Sequence, residues 1–492
     1  MTAPRIVGVV GAGTMGAGIA QLAAQSGLET VLHDPVPEAL ERGVARMEAS
    51  WAKRPVEGAR ERLRPAGALE ELEACDLIIE AAPERLELKG ELLRELAGHT
   101  GAVLATNTSS LPVTAVGAAS GSPGRVVGMH FFNPPPVMRL VEIVAGVDTS
   151  PESVAVARAA AETMGRRVVE VSDGIGFLVN RCNRPFSLEA LRIVHEGLAT
   201  PEQVDRICRL GGGFRMGPFE LMDLVGIDVG YAVAQSFMEL SFGEPRWKPS
   251  MLQAKLVAAG QLGRKTGRGW YSYEDGPHRP ADPDPREPGG GAGRNVQITG
   301  SGPLAEQLRE RAQAAGFDLG GGGTWLTVAT GADAPDAGPL VAACASSSLA
   351  ARGIPGAAGF HLLAPLGRLV ELTRVPATSD ESARRAEEFF SALGLEHEWV
   401  EDAPGLVLGR IVCGLVNEAL FAVGEGVGSA DDVDTGLTLG LNHPRGAVSW
   451  GREIGFENVL ATIDGLFAER HEERYRAAPL LRRVVATGES IT

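Results

Sequence analysis

The sequence predicts an α/β chain in which a doubly wound parallel sheet is followed by an all-helical domain, and the pair then recurs in shortened form. Three observations carry that expectation. A glycine-rich turn, Gly11-Ala12-Gly13-Thr14-Met15-Gly16, joins the apolar run Ile6-Val7-Gly8-Val9-Val10 to a helix-forming stretch. Apolar runs alternate with helical stretches to about residue 175 and then give way to helical spacing alone. Residues from Arg139 onward reappear at a constant offset of 229.

The first apolar run reads as a buried parallel strand. Gly11 permits the tight turn, Gly13 lets the backbone approach a pyrophosphate, and Gly16 lets the following helix pack close. That helix, expected over 17–26, offers unpaired N–H groups and the positive end of its dipole to phosphates. The run Thr30-Val31-Leu32 then delivers Asp34, whose carboxylate can accept ribose hydroxyls. A 2′-phosphate would be repelled there, and Pro35 and Val36 offer no cation. The pattern is that of a Rossmann domain binding NAD and not NADP. Further strands are expected at 77–79, 103–104, 126–129 and 140–144, giving a dinucleotide-binding domain over residues 1–175.

Residues 176–275 read as a helical domain, with Leu188-Glu189-Ala190-Leu191-Arg192-Ile193-Val194 at helical spacing. A linker rich in proline, glycine and charge covers 276–294. A reduced Rossmann-like domain at 295–400 and a second helical domain at 401–492 complete the chain. The repeat is explicit. Arg139-Leu140-Val141-Glu142 returns as Arg368-Leu369-Val370-Glu371, and Glu189-Ala190-Leu191 as Glu418-Ala419-Leu420. The glycine turn returns as Gly300-Ser301-Gly302-Pro303-Leu304-Ala305 at an offset of 289, sixty more than elsewhere. The second copy has therefore lost roughly sixty residues, those that carry Asp34 and the region of Glu84. It is not expected to hold NAD.

Composition narrows the function class. Hydrophobic content of 44% and charged content of 22% are ordinary for a globular chain. A net charge of −16 argues against nucleic acid or an anionic membrane as partner. Five cysteines without CxxC spacing suggest a reducing cytoplasm and no zinc site, so no metal is expected. No segment approaches eighteen continuous apolar residues, and the apolar N-terminal run is too broken by glycine for a signal peptide.

Two strand ends carry polar groups that suit chemistry. Thr106-Asn107-Thr108-Ser109-Ser110 follows one strand, and Met129-His130-Phe131-Phe132-Asn133-Pro134 ends the next, with Glu142 shortly after. Oxidising an alcohol needs a base for the hydroxyl proton while hydride leaves the carbon, and a His–Glu pair beside the cofactor supplies one. Plainer readings exist: a packed histidine at His130, a solvated acid at Glu142, a solvated helix residue at Lys89.

These residues resemble the L-3-hydroxyacyl-CoA dehydrogenases. The similarity spans most of 5–275 and includes Ile79-Glu80-Ala81, Gly176-Phe177-Leu178-Val179-Asn180-Arg181, Met216-Gly217-Pro218-Phe219-Glu220-Leu221 and Gly263-Arg264-Lys265-Thr266-Gly267. The whole-chain layout is similar to the two-copy bacterial type, the 3-hydroxybutyryl-CoA and 3-hydroxyadipyl-CoA dehydrogenases. The resemblance implies NAD-dependent oxidation of a (3S)-3-hydroxyacyl-CoA, in fatty-acid or phenylacetate catabolism. It implies His130 as base, Glu142 as its partner, and Ser109 with Asn180 around the reacting oxygen. Gly11, Ala12, Gly13, Thr14, Met15, Gly16 and Asp34 would hold the cofactor, joined on its nicotinamide side by Glu84, Lys89, Ser109, Asn133 and Lys265. Lys53 and Arg54 fall where the family contacts coenzyme A.

In the second copy His361 and Glu371 survive, but Ala364 replaces Asn133 and Gly409 replaces Asn180, so a second active site is not expected. The two helical domains are expected to pair within the chain or, alternatively, across a homodimer. A dehydrogenase of free hydroxy or sugar acids, or a noncatalytic NAD-binding protein, would share much of this pattern. The acyl group stays open. A terminal carboxylate would call for an arginine, and Arg181 and Arg184 are the candidates.

Overall fold

The computed structural model describes residues 3–274, 276–320, 323–331, 333 and 338–491. It forms two compact units, residues 1–181 with 425–441, and residues 182–424 with 442–492. The first unit is built on an eight-stranded sheet: β1 (Ile6–Val10), β2 (Glu29–His33), β3 (Leu63–Ala66), β4 (Leu77–Glu80), β5 (Val103–Thr106), β6 (Val126–Phe131), β7 (Leu140–Ala145) and β8 (Arg167–Ser172). Their order is β3-β2-β1-β4-β5-β6-β7-β8, parallel except for the antiparallel β6–β7 pair. The central strands are buried on both faces, as the near-continuous apolar runs require.

All six expected strands are present. Two more, β3 and β8, escaped the periodicity argument. β3 is a four-residue edge strand containing Pro65, with only Leu63 and Ala66 buried. β8 is half-exposed and interrupted by charge, so it lacks a contiguous apolar run. The first helix spans Thr14–Gln25, starting three residues earlier than expected because the turn itself feeds into it.

The second unit contains a six-stranded sheet: β9 (Val296–Thr299), β10 (Leu326–Ala329), β11 (Leu340–Ala343), β12 (Ala358–His361), β13 (Leu369–Thr373) and β14 (Glu396–Trp399), in the order β14-β13-β12-β11-β10-β9. Again one neighbouring pair, β12–β13, is antiparallel. Counting outward from the glycine turn, β9 to β14 repeat β1 and β4 to β8. The missing sixty residues correspond to β2, β3 and the helices between them.

Around this sheet the unit packs helices from both copies. The helix Arg184–His195 lies against Leu408–Gly424, its repeat-related counterpart. The linker is irregular yet fastened down: Arg209 pairs with Asp282 at 2.9 Å and Arg279 with Glu220 at 2.5 Å. Among the described residues no helix is long and apolar enough to cross a membrane, and no cluster of His, Cys, Asp or Glu could hold a metal ion.

Candidate active site

The glycine turn sits at the C-terminal edge of β1, where open α/β sheets bind ligands. Gly11 adopts φ +100°, and a Cβ there would lie 2.7 Å from the Ala81 carbonyl oxygen. A Cβ on Gly16 would lie 1.8 Å from the Gly11 oxygen, so this glycine lets the helix close on the turn. Gly13 differs: its φ is an ordinary −66° and a Cβ would meet no protein atom within 4 Å. Nothing inside the chain requires glycine at that position. The open space in front of it suits a pyrophosphate. No side chain caps the helix Thr14–Gln25, so the N–H groups around Thr14 and Met15 remain available to an anion.

Asp34, at the end of β2, accepts the Ala12 N–H at 2.7 Å through Oδ2 and the Val36 N–H at 2.9 Å through Oδ1. Each oxygen keeps a lone pair for a further donor such as a ribose hydroxyl. The donor set and the open turn fit NAD.

A buried network lies behind the neighbouring strand ends. Lys89 Nζ is 2.8 Å from Glu80 Oε1 and 3.3 Å from Glu84 Oε2, and donates to the Ala82 carbonyl at 3.2 Å. Thr106 donates to Glu80 Oε2 at 2.6 Å. Lys89 is 1% exposed. It donates to Glu80 and to the Ala82 carbonyl and sets its charge beside Glu84. The motif around Glu80 assigns it no role. An acid ending a wholly buried apolar strand was the signal.

Glu84 Oε1 in turn accepts from the Thr108 hydroxyl at 2.6 Å, from the Ser109 and Ser110 N–H groups at 3.0 Å, and from the Ser110 hydroxyl at 2.9 Å. Burial pushes its carboxyl up, but the Lys89 charge and these donors outweigh it and hold Glu84 below the usual carboxylate range. The anchored loop leaves the Ser109 hydroxyl without a partner among the described residues. Asn133 is exposed just past β6.

His130 and Glu142 are cross-strand neighbours in the β6–β7 pair. The Nδ1 of His130 is 2.6 Å from Glu142 Oε2, and both side chains are buried. Glu142 Oε1 accepts the N–H groups of Leu178 at 3.1 Å and Val179 at 2.9 Å. An ionised carboxylate only accepts, so Nδ1 carries the hydrogen and Nε2 is left with its lone pair. Phe132 and Phe177 flank the imidazole at centroid distances of 4.6 and 5.7 Å. Asn180 is half-buried on the short helix Val179–Cys182, directly after the two N–H groups that hold Glu142.

Residues 6–174 match the family described as 3-hydroxyacyl-CoA dehydrogenase, NAD binding domain. Residues 176–273 and again 405–491 match 3-hydroxyacyl-CoA dehydrogenase, C-terminal domain. The chain belongs to the 3-hydroxyacyl-CoA dehydrogenase family. It is 35% identical over 488 residues to 3-hydroxyadipyl-CoA dehydrogenase of Escherichia coli K12, covering 97% of this chain and 96% of that one. It is 41% identical over 280 residues to a probable 3-hydroxybutyryl-CoA dehydrogenase of Bacillus subtilis, covering 54% of this chain and 96% of that one. The crystal structure of 3-hydroxybutyryl-CoA dehydrogenase from E. coli K12 superimposes with a TM-score of 0.84 at 33% identity, covering 99% of both chains.

This dehydrogenase also carries a second His–Glu pair. His361 Nδ1 is 3.3 Å from Glu371, which accepts the Val407 and Leu408 N–H groups at 2.6 and 3.1 Å. The outer edge of that imidazole is closed off. A Cβ on Gly409 would lie 2.5 Å from His361 Nε2, so no amide side chain fits where the first copy has Asn180. The second glycine turn is altered too. Arg309 donates to the carbonyls of Ile298 at 3.0 Å and Gly300 at 2.7 Å, and Pro303 removes an N–H from the first turn of the next helix.

Lys53 and Arg54 are exposed at the end of the helix Pro37–Lys53. Lys265 belongs to the second unit, where its ammonium pairs with Asp228 at 2.5 Å. Arg181 pairs with Glu425 at 2.7 Å, whereas the Arg184 side chain meets no carboxylate among the described residues.

Proposed function

We propose that this NAD-dependent dehydrogenase oxidises (3S)-3-hydroxyacyl-CoA to 3-oxoacyl-CoA reversibly, with His130 as the base. The observation that carries the reading is the 2.6 Å contact between His130 and a Glu142 that is itself fixed by two backbone N–H groups. Glu142 holds the ring in the tautomer whose Nε2 accepts the C3 hydroxyl proton, and its charge stabilises the imidazolium that results. Bound NAD supplies the acceptor for the hydride leaving C3. Ser109 and Asn180 donate hydrogen bonds to the oxygen as it becomes a carbonyl. Gly11, Ala12, Gly13, Thr14, Met15, Gly16 and Asp34 hold the dinucleotide, with Glu84, Lys89, Ser109, Asn133 and Lys265 on its nicotinamide side. Lys53 and Arg54 meet coenzyme A phosphates.

The five cysteines are buried and none is in a disulfide, which supports a reducing cytoplasm as the working compartment. The packing of Arg184–His195 on Leu408–Gly424 supports pairing of the two helical domains within one chain rather than across a homodimer.

His130→Gln is expected to lower turnover of acetoacetyl-CoA, followed by NADH absorbance, at least about 1000-fold while leaving NADH affinity unchanged. Retained activity within tenfold would remove His130 from the mechanism. Faster turnover of free acetoacetate than of its CoA ester by the wild-type chain would overturn the substrate class.

A further inference from the structure

Strand β6 outruns one of its neighbours. The β5–β6 ladder ends at the Thr106–Gly128 pair, while β7 still pairs with Met129, His130 and Phe131. His130 therefore sits on a strand end that projects beyond β5. The Phe131 N–H, on a residue 2% exposed, needs an acceptor there. Asn107, the residue directly after β5, supplies it. Its Oδ1 accepts the Phe131 N–H at 2.9 Å, and its own N–H donates to the Glu80 carbonyl at 2.8 Å. One residue thus ties the ends of β4 and β6 together at the point where the chain leaves the sheet towards Ser109.

The second copy shows the same hairpin without this tie. Gly359, two residues before His361, pairs with Ala342 as Gly128 pairs with Thr106, so Ala343 stands at the position of Asn107. The same register matches Val113 and Thr114 to Leu349 and Ala350. Each of these pairs donates its N–H groups to an aspartate, Asp173 or Asp402. Beyond Ala343 the main chain stays on the neighbouring strand, and the Cys344 N–H donates to the Phe360 carbonyl at 2.8 Å.

In the first copy the residue matching Cys344 is Thr108, and it turns to Glu84 together with Ser109 and Ser110. The Asn107 amide stands in for the backbone that has turned away. A His–Glu hairpin forms without an asparagine at this point. The copy that keeps it is the one whose loop departs to present Ser109, where the second copy has Ala345.

We infer that Asn107 is a positioning residue for the dehydrogenase reaction, fixing the strand end that carries His130 against the loop that carries Ser109. The inference rests on His130 being the base, as proposed above. Asn107 acts through the imidazole and not on the substrate. A shift of about 1 Å at a reacting group is enough to cost about 100-fold in rate.

Asn107→Ala is expected to lower kcat for acetoacetyl-CoA about 100-fold, with KM for the ester and the affinity for NADH within threefold. Asn107→Asp keeps an oxygen for the Phe131 N–H and should recover at least tenfold of that loss. The deciding measurement is a double-mutant cycle with His130→Gln. Adding Asn107→Ala to His130→Gln should change the residual rate by less than threefold, because the group it positions is already gone. Asn107→Leu, of similar shape and without an acceptor, runs the same cycle if the alanine variant does not fold.

A further loss of about 100-fold in the double variant would give Asn107 a role of its own and overturn the inference. So would a raised KM with kcat intact, the mark of a binding group. A lowered melting temperature with kcat per folded chain unchanged would make the residue structural alone, and overturn it too. Failure of the underlying reading shows separately, as turnover within tenfold of wild type by His130→Gln alone.

Discussion

Gly13 and Gly16 occupy one turn and answer to different forces. Gly16 is demanded by the fold, since a Cβ there would overlap the Gly11 carbonyl. Gly13 is demanded by nothing in the protein, because its backbone is extended and its Cβ direction is empty. Gly13→Val should therefore weaken NADH binding more than tenfold, measured by fluorescence titration, while the melting temperature stays within about 2 °C. Unchanged NADH affinity would place the pyrophosphate elsewhere. Both glycines were legible in the sequence from their spacing after an apolar run, but the difference between them was not. The surroundings of Lys89 were hidden for a related reason. Spacing puts it on a helix, and only packing brings Glu80 and Glu84 to its ammonium and closes the cluster to solvent.

Among the elements, the antiparallel hairpins β6–β7 and β12–β13 are the same device with different outcomes. Each sets a histidine opposite a glutamate, and each glutamate is held by two N–H groups at the start of a following helix. The first leaves Nε2 available, whereas the second presses it against Gly409. Loss of β2 and β3 also strips the second sheet of a counterpart to Asp34, and Arg309 ties up the turn carbonyls. Calorimetric titration of the full chain should find one NADH per chain, and two sites of similar affinity would contradict this reading. The deletion could be read from the two offsets. The edge strand β3 could not, because four residues with a proline and two exposed side chains leave no periodicity to detect.

Across the whole molecule, helical segments of one copy cover the sheet of the other. In the first unit, the N–H of Ser172 at the end of β8 donates to the Val427 carbonyl at 3.0 Å, and a Cβ on Gly440 would touch Leu140 and Phe132. In the second unit, the N–H of Glu401 donates to the Leu198 carbonyl at 2.9 Å, and that of Arg368 to Leu210 at 2.8 Å. The Ser172–Val427 and Glu401–Leu198 bonds are related by the 229-residue repeat. Arg410 belongs to the same scheme: wholly buried, it meets Glu189 at 2.5 Å, Glu196 at 2.9 Å and the Tyr475 hydroxyl at 2.9 Å. Burial alone would lower its basicity, but the two glutamates outweigh that and raise it. Arg410→Met takes the guanidinium from buried Glu189, which keeps the Tyr475 hydroxyl, while Glu196 keeps Arg192 and Arg470, and should cost about 3 kcal/mol in urea unfolding. A loss below about 1 kcal/mol would show that the network does not hold the two copies together.

The sequence by itself determined the glycine-rich turn, the acid that follows the second strand, the His–Glu pair and the duplication. Each is written within a strand, a turn or a fixed offset, where local geometry follows from residue order. Tertiary structure decided that Lys89 is internal, that Arg181 is paired while Arg184 is not, and that residues 425–441 join the first sheet. Burial and ion pairing depend on distances between residues far apart in the chain, and no local pattern encodes those distances.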